Sequence, residues 1–340
     1  MSTSVVTTRL LDLADEPALR AWHAAALAAH RHDRPDAPFW TEDEVVHILR
    51  PDDPEEKFLP LVAEDGAGAV VGSAILFVPL EDNLDKVYCQ LSVLPTHRGH
   101  GVGDALMGRV LQAAREESRE LVLAQGYLPA DADETHPVRR FATRHGFHLA
   151  NTEVRRVLQL PVADDAIQDW IDDAAAHHAG YEIRTYVDVV PDELLPSLVD
   201  LLNQLAVDAP TGDIDFEAGS MTPEIYREQT QRRIATGRRV YETVALRDGR
   251  VVAQSTMSAP PAGEEMPHLN QWGTYVHRDH RGHRLGLAVK AANLRAVQRA
   301  HPERTLVSTT NSPVNAPMVA INELMGFRPA DVMNEFLRRL

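Results

Sequence analysis

The sequence predicts an α/β domain built twice in tandem, and two observations carry that prediction. The tetrad His97-Arg98-Gly99-His100 returns as His280-Arg281-Gly282-His283, each time after an apolar run and before a segment of helical periodicity. Other landmarks repeat in the same order at nearly the same offset. Leu11-Asp12 lies 176 residues before Val187-Asp188, the two Arg-Gly-His copies are 183 apart, and Gly146-Phe147 lies 180 before Gly326-Phe327. The division this implies is an N-terminal domain over 1–160, a linker over 161–180 and a C-terminal domain over 181–340.

The elements follow in order. Val5 to Leu13 mixes β-branched and apolar residues and reads as a strand, and Asp15-Glu16-Pro17 opens a helix with Leu19, Trp22, Ala26 and Leu27 on one face. A second helix is expected over Glu42–Leu49. Leu59–Ala63 and Ala69–Val78 form a hairpin across Glu64-Asp65-Gly66-Ala67-Gly68. Val87–Val93 is a strand that feeds the first glycine-rich turn, and Leu106, Val110 and Ala113 mark the helix after it. Glu120–Ala124 is a short strand, Val138–Arg144 a helix, and Gly146-Phe147 opens the last strand of this half. Ala163–Gly180 is acidic and alanine-rich and reads as a connecting helix. The order then restarts: a strand over Tyr181–Val190, a helix with Leu194, Leu198, Leu201 and Leu205 inward, and a hairpin across Arg247-Asp248-Gly249-Arg250. The second glycine turn, a strand at Thr305–Thr309, a helix at Asn315–Met325 and a final strand from Gly326-Phe327 complete it.

Composition narrows the function. At 340 residues, with 44% apolar and 25% charged residues, the chain has material for two globular cores. Its longest apolar runs are too short to span a membrane, and Met1-Ser2-Thr3-Ser4 does not open a secretory signal, so no membrane partner and a cytoplasmic location are expected. One cysteine, Cys89, excludes an intramolecular disulfide, and its mid-strand position reads as core. The net charge of −16 repels nucleic acid overall; it reads first as solubility and is compatible with a cationic amine. Trp22, Trp40, Trp170 and Trp272 read as core or interface residues.

Strand, glycine turn and helix make a physical device. Glycines let the backbone approach a ligand and adopt positive φ, and the first amides of the helix, unpaired and at the positive dipole end, attract an anion such as a pyrophosphate. Neither copy has the lysine of a Walker A loop, and the glycines at 99, 101 and 103 come too late in their domain for a Rossmann fingerprint. Histidines three apart on such a turn (His97 and His100, His280 and His283) do not make a metal site, and none is expected.

Arg98-x-x-Gly101-x-Gly103, with its preceding strand, its helix and Gly-Phe about 45 residues on, resembles the acetyl-CoA loop of the GNAT superfamily of N-acetyltransferases. Both halves show this context. The chain is similar to the tandem GNAT proteins of actinomycetes, a group that includes mycothiol synthase and acetyltransferases of antibiotic gene clusters, the clavulanic acid cluster among them. The resemblance implies in each half a mixed, splayed β-sheet flanked by helices, with acetyl-CoA as cosubstrate and as many as one molecule per domain. Pantetheine would pair with backbone at Ser92-Val93 and Tyr275-Val276. The pyrophosphate would rest on Arg98, Gly99, His100, Gly101, Val102 and Gly103, and correspondingly on Arg281, Gly282, His283, Arg284, Leu285 and Gly286. Asn311 and Asn315 would contact the coenzyme.

The chain departs from the family where a tyrosine often stands four residues before Gly-Phe to protonate the leaving thiolate. Ala142 and Asn322 occupy those positions. Asn322 can at least donate a hydrogen bond, which favours the C-terminal domain as catalyst. Arg284 replaces a loop glycine. For a base, the strand before Val276 offers His268, Asn270, Glu264 and Glu265, and His268 has the most suitable ordinary pKa. Asp208–Thr222 reads as the acceptor-side loop of that domain. The expected function is acetyl transfer to a small-molecule amine, in secondary metabolism, by a monomer or homodimer. The competing reading is a CoA-binding protein whose active sites have decayed.

Overall fold

The structure, a computed structural model, describes residues 6–32, 34–49, 55–261 and 268–340; Glu264 and Glu265 lie outside them. The chain runs β1 (Thr7–Leu10), α1 (Glu16–Arg31), α2 (Glu42–Leu49), β2 (Glu56–Glu64), β3 (Val70–Pro79), β4 (Lys86–Val93), α3 (Val102–Glu116), β5 (Leu121–Pro129), α4 (Pro137–Arg144) and β6 (His148–Gln159). It continues with α5 (Asp164–Ala175), β7 (Glu182–Val187), α6 (Leu195–Asp208), α7 (Pro223–Ala235), β8 (Arg239–Arg247), β9 (Arg250–Ala259), β10 (His268–Val276), α8 (Leu285–Ala300), β11 (Leu306–Asn311), α9 (Ala316–Leu324) and β12 (Arg328–Arg339). It forms two compact units. The first holds Met1–Thr152, Gly212–Asp215 and Val332–Leu340, and the second holds Glu153–Thr211 and Phe216–Asp331.

In the first unit β1 to β4 are antiparallel neighbours, and β5 lies parallel to β4. The strand alternation sorts side chains to two faces. Val62 and Ile75 meet Leu19 and Trp22 of α1 and Val45 and Leu49 of α2, while Leu61 and Leu76 meet Leu106 and Val110 of α3. Local chemistry sets the boundaries. The Asp15 side chain accepts from Ala18 N at 3.0 Å to start α1. Thr41 and Glu44 cap α2 reciprocally, at 3.1 and 2.9 Å. The Asp65 carboxylate gathers the amides of Ala67 and Ala69 to turn the β2–β3 hairpin.

The second unit repeats this plan, with β7 to β10 antiparallel and β11 parallel to β10. Its α6–α7 face packs on Val244 and Tyr275, and α8 covers the other face, over Ala245 and Ala253. In both units the parallel pair opens partway. β4 and β5 pair only from Lys86–Leu121 to Gln90–Gln125, and β10 and β11 only from His268–Leu306 to Asn270–Ser308. β10 also carries a bulge between Gln271 and Thr274, a feature absent from the pairing of β4 with β3.

The contiguous division expected from the repeat differs from the compact units at three places. The first unit is finished by a segment distant in sequence, β12, which neighbours β5, and the second takes in β6 from Val154 to Gln159, which pairs with Asn311 to Leu306. The stretch expected as a linker is α5, whose Ile167 and Ala174 are fully buried in the core of the second unit beside Leu287 and Leu294 of α8. Part of the expected acceptor loop, Gly212–Asp215, belongs to the first unit, where Asp213 N donates to Ala150 O at 2.9 Å. The first strand is also shorter than its apolar run, Thr7–Leu10.

Candidate functional site

The two glycine turns fold alike. After β4, a turn of 3-10 helix at Pro95–His97 leads to Gly99 (φ +76°) and Gly101 (φ +86°), and Gly101 is the N-cap of α3. After β10, a turn at Arg278–His280 leads to Gly282 (φ +85°) and Arg284 (φ +52°), the N-cap of α8. Neither helix is capped by a side chain, so the first-turn amides face outward for an anion. A Cβ placed at Gly99, Gly101 or Gly282 would meet nothing within 4 Å, which leaves the mouth of each turn open. Arg284 takes the left-handed conformation that costs an L-residue about 1 kcal/mol, and its guanidinium is paired with Asp173 of α5. Val102 and Leu285 are buried and anchor their helices, while Gly103 and Gly286 let Phe141 and Ile321 approach closely.

The loop arginines do more than supply charge. Arg98 Nε donates to Val93 O at 3.2 Å, and Arg281 Nε donates to Val276 O at 3.3 Å, so each braces its strand exit against the turn. Arg281 also reaches Asp208 at the end of α6 (2.8 Å), as does Arg278 (3.2 Å). Asp208 accepts from the Tyr275 hydroxyl at 2.5 Å; that bond first, then those from Gln204 and Arg281, hold its pKa below the usual carboxylate range. Burial and the same partner push the Tyr275 phenol up to about 12. All four loop histidines are engaged: His97 with Thr96, His100 with Arg98 O, His280 with the Tyr181 hydroxyl, and His283 with His177 O. Among the described residues no group of His, Cys, Asp or Glu is placed to hold a metal. Cys89 is buried, and desolvation pushes its thiol up to about 12, so it is core.

On the strands, Ser92 and Val93 pair with Ser73 and Gly72, and Tyr275 and Val276 with Gln254 and Ala253. Their other edges lie beyond the last parallel pairs, in the opening where an added strand-like chain would bond. Of the asparagines, Asn311 ends β11, beyond that strand's last pair with β10, and Asn315 and Asn322 lie at α9. Asn315 caps α9, accepting from Met318 N at 3.3 Å. Asn322 is fully buried. It accepts from Lys290 Nζ (2.8 Å) and donates to Asn311 Oδ1 (3.0 Å), which also takes a bond from Arg156 (2.8 Å). Asn311 and Asn322 thus meet each other in a buried polar network, with both ends of the Asn322 amide committed. His268 is buried at the start of β10, three residues before the bulge, or roughly 10 Å along the strand.

Three residues of the second unit were missed in the sequence. Glu242 of β8 is buried on the α6–α7 face, where one carboxylate oxygen accepts from Thr256 Oγ1 at 2.6 Å and the other, Oε1, has no partner. Burial raises its pKa to about 7, against the opposing effects of the Thr256 bond and Arg233. Gln254, beside it on β9, is buried with its Nε2 unpartnered, about as close to the bulge as a Cβ on Gly273 would find it, 3.5 Å. Trp272, expected in the core or at an interface, is 58% exposed on the bulge, with its indole N–H donating to Ser258 Oγ at 2.8 Å. A glutamate inside the apolar run Val240-Tyr241-Glu242-Thr243-Val244 was the available signal.

Residues 18–147 match the Acetyltransferase (GNAT) family. Over 98% of both chains the structure is similar to a tandem GNAT protein from the clavulanic acid biosynthesis pathway, solved without acetyl-CoA, with 28% identity and a TM-score of 0.81. Two more distant structures share the fold. A GCN5-related N-acetyltransferase from Sphaerobacter thermophilus is 16% identical over 98% of this chain and 95% of its own, with a TM-score of 0.64. The N-myristoyltransferase of Saccharomyces cerevisiae with bound myristoyl-CoA is 11% identical over 100% and 80%, with a TM-score of 0.59. No curated protein matches the chain.

Proposed function

We infer that this chain, a tandem GNAT N-acetyltransferase, transfers an acetyl group from acetyl-CoA to a small-molecule amine, with the second unit as catalyst. The observation that carries the reading is the juxtaposition, in each unit, of an opened parallel strand pair with a helix N-terminus that no side chain caps. Acetyl-CoA supplies an activated acyl thioester. The amides of 98–103 and 281–286 suit its pyrophosphate, and the free edges at Ser92-Val93 and Tyr275-Val276 suit its amide-rich arm.

The bulge in β10 supports the choice of the second unit, because a bulge turns backbone groups out of the ladder beside the opening. Gln271 Nε2 donates to Ser255 Oγ and Thr256 O there, at 3.1 and 3.0 Å, and fixes the bulged backbone. In the first unit the equivalent place is crossed by an amide pair, Gln90 to Gln125 at 2.9 Å. A role in secondary metabolism, by kinship with the clavulanic acid pathway protein, and a cytoplasmic location belong to the same proposal. No helix among the described residues is long and apolar enough to cross a membrane.

The competing reading, a CoA-binding protein without turnover, rests on Ala142 and on the committed amide of Asn322. Native mass spectrometry with acetyl-CoA tests the coenzyme sites, using Gly101→Glu and Arg284→Glu, which put an anion at the equivalent N-cap of each loop. Two ligands, each lost in one variant only, are expected. No ligand at all would overturn the proposal. Binding without thioester turnover on a panel of ethanolamine, tyramine and glucosamine would leave the competing reading standing.

A further inference from the structure

The α6–α7 face of the second unit carries a row of polar side chains that packing does not explain. Gln254, Thr256 and Ser258 alternate along β9 onto that face, opposite Glu242 on β8 and next to Trp272 on the β10 bulge. Two buried polar atoms in the row, Glu242 Oε1 and Gln254 Nε2, lack a partner, and unsatisfied groups of this kind are costly enough to call for an explanation. Thr256 is the half-buried member, and its hydroxyl bonds directly to Glu242 at 2.6 Å. The row therefore runs from solvent to a buried carboxylate through a single hydroxyl. Trp272 offers an exposed ring at the outer end, with its N–H tied to Ser258.

We propose that this row is the acceptor site of the second unit, in which Trp272 binds a primary ammonium ion and Glu242 takes its proton through Thr256. An indole face attracts a cation. The proton balance is simple. The ammonium N–H bond breaks and its proton goes to Thr256 Oγ1; the Thr256 hydroxyl proton passes to Glu242 Oε2, leaving a neutral amine nucleophile and a neutral carboxylic acid. Gln254 Nε2 is placed to steady a group at Gly273. Glu242 is a positioning and proton-accepting residue behind the contact, and Thr256 and Trp272 touch the substrate. This rests on the acetyl-transfer reading above and assigns residues to it.

The groups facing Glu242 set its charge. Tyr226 and Arg233 approach from α7, Tyr186 is its register partner on β7, and Thr256 and Gln254 lie on β9. Of these only Arg233 is a fixed cation, and desolvation outweighs it, so the carboxyl changes charge near pH 7, where a base for an ammonium ion is useful.

Two measurements on the full chain test the assignment. Infrared difference spectra taken across pH 5 to 9 without substrate should show a protonated-carboxyl stretch that disappears near pH 7 and is missing in Glu242→Gln. Steady-state rates with the best amine among ethanolamine, tyramine and glucosamine should show kcat/KM rising with pH through the same midpoint. In Glu242→Gln, kcat should fall by about 10²- to 10⁴-fold, the range for loss of a proton acceptor. In Thr256→Val the rate should fall while the infrared band stays, which separates a relay from a fold effect. In Trp272→Ala, KM should rise with kcat little changed. The proposal is overturned if no carboxyl titrates in this range, or if Thr256→Val keeps the wild-type rate profile. If acetyl-CoA binds but no amine is acetylated, the transfer reading falls and this one with it; if amines are acetylated and Thr256→Val is unaffected, only this one falls.

Discussion

Lys290 and Glu242 show how the second unit handles charge at the scale of single residues. Each is buried with one strong partner, Asn322 for the ammonium and Thr256 for the carboxylate, and desolvation moves each toward neutrality, Lys290 down to about 7 and Glu242 up to about 7. The stability consequences have opposite slopes. Between the ordinary carboxyl value and about 7 the folded state holds more protons at Glu242 than the unfolded chain does, so this group makes stability fall as pH rises. Between about 7 and the ordinary lysine value the unfolded chain holds more protons at Lys290, so stability rises with pH. Urea titrations of Lys290→Met against wild type should show that second slope lost in the variant between pH 7.5 and 10. Asn322→Ala removes the acceptor of Lys290 and the donor to Asn311. It should cost about 1–3 kcal/mol by leaving buried polar groups unsatisfied, which denaturant midpoints would register. An exposed, catalytic Asn322 would instead lose activity at unchanged stability.

Among the elements, α5 and the two glycine turns decide most. α5 was legible as a helix from its alanines and acids, but its role was not. Ile167, Trp170, Ile171 and Ala174 recur at helical spacing, but that stripe does not say which core it packs against. Ile167→Ala should destabilise the second unit by about 2–5 kcal/mol, the range for emptying a packed aliphatic site, whereas a loosely tethered linker would show no change in the denaturation curve. The turns were legible in detail, because glycine content, the preceding strand and the following helix are all local. Arg284 shows the limit. Its positive φ follows from the shape it shares with Gly101, and its pairing with Asp173 follows from where α5 docks. The arginine struts were hidden for a related reason: a guanidinium that braces a carbonyl five residues back cannot be told in sequence from one that awaits a phosphate.

For the whole molecule, the exchange of terminal strands has the largest consequence. The first unit closes its sheet with Val332–Leu340: Phe336 joins its core, Leu340 N donates to Glu120 O at 2.9 Å, and Asn151 bonds Glu335 at 2.8 Å. Deleting the last nine residues should therefore loosen the N-terminal unit more than the C-terminal one from which they are translated. Hydrogen exchange should quicken at Leu121–Gln125 of β5 while the amides of β8 and β9 keep their protection. Uniform loss of protection in β8 and β9, with β5 unaffected, would contradict this partition.

The repeat, the element order, the two glycine turns and the likeness to GNAT proteins were all legible in the sequence alone. Each rests on local signals, such as spacing of apolar residues, glycine at a turn, and a motif repeated at a constant offset. Tertiary structure alone decided which strand completes which sheet, that the acidic alanine-rich stretch is core, that Asn322 meets Lys290, and that Glu242, Gln254 and Trp272 share a face. Those outcomes depend on contacts between residues far apart in the chain. Burial and pairing at such distances are set by how the layers pack, and no local pattern of residues encodes them.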